Sequence, residues 1–256
     1  MTRSLRQAVL PFVGLAVLFL LVAGLWAFVL TDFRQASATD TGTASLPPTT
    51  TQESTQAPRW TMDQAREAVA ADDSRVLVLG DSTGNGNDEW VHLWAGSREM
   101  PVASWDTDGE AGYRGEGEDT RVWSGAMFSA TADYPLEHEE IWPGQAPDVV
   151  LLSYGHFEGS GQEATQGLEA LTAEVADRFP DAPVVVILQN PAQDDAGASV
   201  REAIAEWAKG EGLPTIDVAA AWEESGQAQA ELLADDVNPS PAGSQVWAEA
   251  VVEALG

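Results

Sequence analysis

Cysteine is absent from this 256-residue chain, which excludes disulfide cross-links, thiolate nucleophiles and thiolate metal sites. A domain of roughly 200 residues buries enough surface to be stable without them. Basic side chains are scarce: 12 Lys and Arg face 41 Asp and Glu, for a net charge of −29, and Lys209 is the only lysine. Such a surface repels phosphate backbones and anionic head groups, so nucleic acid is not expected as a partner. The acidity itself reads as a solubility device. Histidine is nearly as rare, with only His92, His138 and His156, so few side chains can carry protons near neutral pH.

Charge is missing altogether from residues 8–30, a run long enough to cross a bilayer as a helix. Arg3 and Arg6 precede it, and the positive-inside rule keeps residues 1–7 in the cytoplasm and sends the remainder outside. The competing reading is a signal peptide cleaved after Ala36-Ser37-Ala38, but the apolar run exceeds a usual signal core, so an uncleaved anchor is expected. Residues 31–59 are rich in Thr, Ser, Ala, Gln and Pro and poor in large apolar side chains, which predicts a flexible stalk.

Beyond the stalk, Trp60–Ala71 has the pattern of a short amphipathic helix. Apolar runs at Arg75–Gly80, Pro101–Trp105, Asp148–Tyr154, Pro183–Gln189 and Pro214–Val218 then alternate with helical patterns at Asp88–Ser97, Glu163–Phe179, Ala196–Gly210 and Pro241–Leu255. That alternation predicts an α/β domain over residues 60–256, a flavodoxin-like three-layer sandwich around a parallel sheet of about five strands. The Gly-rich acidic stretch Asp106–Asp119 begins like a calcium loop at Asp106-Thr107-Asp108-Gly109. It lacks the full ligand spacing and is expected to be a solvated loop, so no metal is predicted.

Two segments carry the chemistry. Val76-Leu77-Val78-Leu79 is an apolar strand that stops on Gly80-Asp81-Ser82, which sets a hydroxyl at the carboxyl edge of the sheet, where open α/β folds place their ligands. Near the other end stands Asp235-Asp236-Val237-Asn238-Pro239. Together with Tyr154-Gly155-His156-Phe157-Glu158-Gly159, and more loosely Trp123-Ser124-Gly125, these segments resemble, in order, the sequence blocks of the SGNH/GDSL hydrolase superfamily. The third block is similar to the Gly-His-Asn-Asp-Gly version of the rhamnogalacturonan acetylesterase-like members. The resemblance implies serine-dependent hydrolysis of an ester, with no cofactor. Ser82 would be the nucleophile. The N–H groups of Ser82 and Gly125 and an Asn side chain in the third block would form the oxyanion hole. A His in the fourth block, oriented by Asp235, would be the base.

This chain departs from that pattern twice. Phe157 stands at the oxyanion Asn, and it has no donor. Asn238 stands at the catalytic His, and an amide does not accept a proton near neutral pH. Losing an oxyanion donor costs about 10²–10³-fold in rate, and a serine without a base is a poor nucleophile. His156 is the candidate substitute base or substrate contact. Glu158 reads as a structural hydrogen-bond acceptor, and His92 and His138 as packing and surface residues. Trp90 and Trp94, four apart on one helix face, read as core, whereas Trp123 and Trp142 fall in expected loops and are candidate cleft walls. The expected protein is thus monomeric, exported and membrane-anchored through residues 8–30. It is either an impaired esterase of acylated glycan, lipid or a small ester, or a non-catalytic binding domain of the same fold.

Overall fold

The computed structural model describes residues 59–256. The expected cytoplasmic tail and anchor, and the stalk up to residue 58, lie outside the described residues. Among the described residues no helix is long and apolar enough to cross a membrane.

Strand β1 (Val76–Gly80) is buried at all five positions, because both of its faces are covered: Leu77 and Leu79 enter one core while Val76 and Val78 enter the other. This is the signature of a strand central to a parallel sheet. It is joined by β2 (Val102–Asp106), β3 (Gly112–Arg114), β4 (Val122–Ala126), β5 (Val149–Ser153), β6 (Val184–Leu188) and β7 (Thr215–Asp217). The seven strands are ordered β3-β2-β4-β1-β5-β6-β7, all parallel except the edge pair β2–β3.

The sheet therefore has two strands more than the sequence predicted. Strand β4 contains Ser124-Gly125, a pair that reads as a turn, yet all five residues are buried between β1 and β2. Its neighbours, not its own propensity, make it a strand. Strand β3 arises inside the acidic Gly-rich stretch. There Arg114 donates to Asp106 Oδ2 at 3.2 Å and to the carbonyls of Asp108 and Glu110. The stretch expected as an open loop is thus half folded into an edge hairpin, tied down by one guanidinium.

Helices α1 (Met62–Val69), α2 (Trp90–Ser97), α3 (Tyr134–Glu137), α4 (Gly161–Arg178), α5 (Ala198–Glu211), α6 (Val218–Glu224), α7 (Gln229–Leu232) and α8 (Pro241–Leu255) complete the described chain. The sequence anticipated all but α3, α6 and α7, which are too short for a helical period to show. Local chemistry sets the ends of the others. Thr61 and Gln64 form a capping box on α1, Ser160 caps α4, and Ser240 caps α8 with Pro241 in the first turn.

Helices α4 and α5 cover one face of the sheet through Leu168, Leu171, Val175 and Ile204. Helices α1, α2, α6 and α8 cover the other. On that second face Trp90 and Trp247 are fully buried and stack with ring centroids 5.4 Å apart and planes 3° from parallel, joining α2 to α8. Gly243 lets the start of α8 reach the loop before it, since a Cβ there would lie 2.1 Å from the Leu232 carbonyl oxygen. Through that contact α8 supports the segment that carries Asp235 and Asn238.

Candidate active site

Where β1 ends, Asp81 caps a 3-10 turn over Ser82–Gly84, its Oδ1 accepting from Thr83 N at 3.1 Å and from Thr83 Oγ1 at 2.7 Å. The turn presents Ser82 at the carboxyl edge of the sheet, 3% exposed. Asn238 meets it from the loop before α8. That loop is closed by the Leu233–Pro239 bridge and by the Ala234 N–H donating to the Asn238 carbonyl at 2.9 Å.

The contact between them determines the chemistry. Asn238 Nδ2 donates to Asp235 Oδ2 at 2.8 Å, and the N–H groups of Asn238 and Val237 donate to Asp235 Oδ1 at 2.7 and 2.9 Å. A carboxylate only accepts, so the amide nitrogen must face Asp235 and the amide oxygen must face Ser82. Ser82 Oγ accordingly donates its hydrogen to Asn238 Oδ1, at 2.7 Å. Burial pushes the Asp235 carboxyl up, but these three donors together outweigh it and hold the group below its ordinary value. The three side chains form the relay of a serine hydrolase with an amide in its middle. The serine hydrogen is thus bonded to an amide oxygen, which is not a base near neutral pH.

Among the described residues His156 makes no hydrogen bond to Ser82. Its Nε2 lies 3.0 Å from the Asn190 carbonyl oxygen, which can only accept, so Nε2 carries a hydrogen. Its Nδ1 sits 3.7 Å from Asp81 Oδ2. The ring is 5% exposed and turned into the protein beneath the nucleophile turn. His92 pairs with Ser104 Oγ at 3.0 Å on β2, where burial lowers its pKa, and His138 packs on Tyr134. Glu158 accepts from Ala132 N at 2.9 Å, joining the third block to the turn after β4, and its pKa is raised chiefly by burial.

Gly125 is placed differently from expectation. It lies within β4 opposite Leu79, and a Cβ there would meet Leu79 Cδ2 at 2.8 Å, so close strand packing accounts for the glycine. The turn at the carboxyl end of β4 comes later, at Met127–Ala130, where Ser129 adopts φ 55°. Ser82 N–H takes no acceptor among the described residues, which leaves it free for an oxyanion. Phe157 lies beside that later turn, its ring 6.5 Å from Phe128, and supplies no donor. The two tryptophans expected at the cleft are elsewhere. Trp123 is fully buried in β4 and donates to Glu116, and Trp142 packs on Phe179 beneath the Arg178 guanidinium. Trp142 lies in a loop as expected, whereas Trp123 fell in a presumed loop only because β4 was not visible locally.

Two residues that sequence reasoning passed over hold the site together. Gln189 is buried, and its Nε2 donates to Asp81 Oδ2 at 2.9 Å and to the Ser153 carbonyl at 3.0 Å. Its Oε1 accepts from His156 N at 3.1 Å. The fully buried Asn190 donates to the Val237 carbonyl at 3.0 Å, fastening the Asp235–Asn238 loop to β6. The available signal was a pair of amide residues directly after an all-apolar strand. Gln189→Leu should cost about 2–3 kcal/mol, because it leaves the buried Oδ2 of the Asp81 carboxylate without its donor. Urea denaturation measures this, and a loss below about 0.5 kcal/mol would deny Gln189 that role.

The model of the GDSL-like lipase/acylhydrolase family matches residues 78–246 of this chain. The chain belongs to that family. Its fold is shared by a lipolytic G-D-S-L family protein from Veillonella parvula (16% identity, TM-score 0.52, covering 70% of this chain and 97% of that one). It is shared too by the α/β hydrolase LAE5 from the metagenome of Lake Arreo (19%, 0.56, 74% and 98%). Axe2, an acetylxylan esterase from Geobacillus stearothermophilus, is similar as well (18%, 0.55, 74% and 96%). No curated protein matches the chain in sequence. Within the GDSL family, this member carries Ser82 and Asp235 with an amide between them.

Proposed function

We propose that this GDSL-family domain is exported, held at the membrane by residues 8–30, and binds acylated glycan in the Ser82 cleft while hydrolysing esters at close to the background rate. The observation that carries this reading is the 2.7 Å hydrogen bond from Ser82 Oγ to Asn238 Oδ1. Attack on a carbonyl requires the hydroxyl proton to leave, and Asn238 has no lone pair basic enough to take it. With Phe157 in place of a side-chain donor, the developing oxyanion also lacks one of its supports. The glycan class is supported by the acetylxylan esterase among the proteins of similar fold, and the export by the uncharged run preceded by Arg3 and Arg6.

The test is hydrolysis of a small acetyl ester by the protein beside its Ser82→Ala variant. Equal rates near the uncatalysed level are expected. A rate that collapses in the variant would overturn the proposal and reveal a base other than Asn238.

A further inference from the structure

We infer that the Ser82 cleft selects glycans bearing free amino groups over N-acylated and anionic ones, an inference that rests on the cleft being the glycan site proposed above. The cleft encloses about 320 Å³, and its lining includes three carboxylates, Asp88, Glu89 and Asp235, but no Lys, Arg or His. Among the described residues none of the three takes part in an ion pair. Asp235 is held by the Asn238 and Val237 donors, which favour its ionised form. Glu89 accepts from Gly86 N at 2.6 Å, and Asp88 is exposed beside it. Concave walls of one charge sign focus the field into the space between them. The chain's net charge of −29 adds to that field rather than opposing it.

The other walls suit a sugar. Phe128 is 67% exposed at the cleft, an apolar face for the C–H side of a pyranose and a π-face for an ammonium. Asn85 lines the same space with an exposed amide, and the buried Ser244 hydroxyl beside it has no protein partner. Among the described residues no three acidic or histidine side chains converge to hold a metal ion. A glucosamine unit offers an ammonium to the three carboxylates and hydroxyls to Asn85. An N-acetylated unit forgoes the charge, and a uronate brings a fourth carboxylate into the cleft.

The experiment is calorimetric titration of the full-length protein with tetramers of glucosamine, N-acetylglucosamine and galacturonate, at about 20 and about 300 mM salt. The glucosamine tetramer should bind about tenfold more tightly than the acetylated one at low salt, with the advantage falling severalfold at high salt as screening sets in. In the Asp88→Asn, Glu89→Gln double variant that advantage should shrink to about twofold or less, with an unchanged melting temperature showing that the fold is intact. Equal binding of the first two tetramers, or an advantage that survives the double substitution, overturns the inference and leaves the cleft reading standing. If none of the three binds, the inference falls.

Discussion

Asn238→His should raise acetyl-ester hydrolysis by about 10²–10⁴-fold. The parent already holds the outer members of the relay in place: Asp235 bonds the amide of residue 238, and that amide touches Ser82 Oγ. An imidazole would direct one ring nitrogen to Asp235 and offer the other as the missing proton acceptor. It reaches further than an amide, so the 234–239 loop must ease away from Ser82. The solvent-open cleft beside that loop gives it room. The gain stays short of a complete hydrolase because Phe157 still supplies no donor. Adding Phe157→Asn should multiply the rate again by about 10–10²-fold, if the new amide reaches the oxyanion. Initial rates on a chromogenic acetyl ester decide the matter, with Ser82→Ala in each background as control. No gain in the double variant would mean that the loop has closed on Ser82 too tightly to admit a base.

Trp247→Ala should destabilise the domain by about 3–5 kcal/mol and lower its melting temperature by roughly 10 °C. Trp247 is fully buried and its ring lies flat on Trp90, so truncation opens a large void between α2 and α8 that rigid neighbours cannot fill. The effect extends to the site, because α8 carries Gly243 against Leu232, just before the Asp235–Asn238 loop. Trp142→Ala provides the contrast. That ring is only half buried, against Phe179 and Arg178, and its loss should cost about 1 kcal/mol. Thermal unfolding followed by far-UV circular dichroism measures both. A Trp247→Ala loss no larger than that of Trp142→Ala would show that the stacked pair does not organise this core.

Much of the architecture was legible because its signals are local. An apolar run bounded by Gly and Pro is sufficient to mark β1, β5 and β6, and Ser-Pro followed by an amphipathic period marks α8 to the residue. Strand β4 escaped notice because Ser124 and Gly125 have turn-like propensity. Only β1 on one side and β2 on the other, contributed by distant segments, make them strand residues. Misplacing β4 also hid the turn that follows it at Met127–Ala130, which is marked by an unusual φ at Ser129. No composition rule reveals that torsion.

For function, the sequence by itself determined which chemical groups are available: a serine after a buried strand, an Asp three residues before an Asn, a Phe where a donor would stand, and only three histidines. Side-chain identity sets pKa and donor capacity wherever the chain folds, so the absence of a conventional base could be read directly. The tertiary structure alone decided which of those groups meet. Ser82 and Asn238 are 156 positions apart and touch, whereas His156, inside the third block, turns its Nε2 to the Asn190 carbonyl. Those orientations depend on the buried hydrogen bonds of Gln189 and Asn190, which link three loops at the carboxyl edge of the sheet. A contact of that kind is a property of packing between distant segments, and no local pattern encodes it.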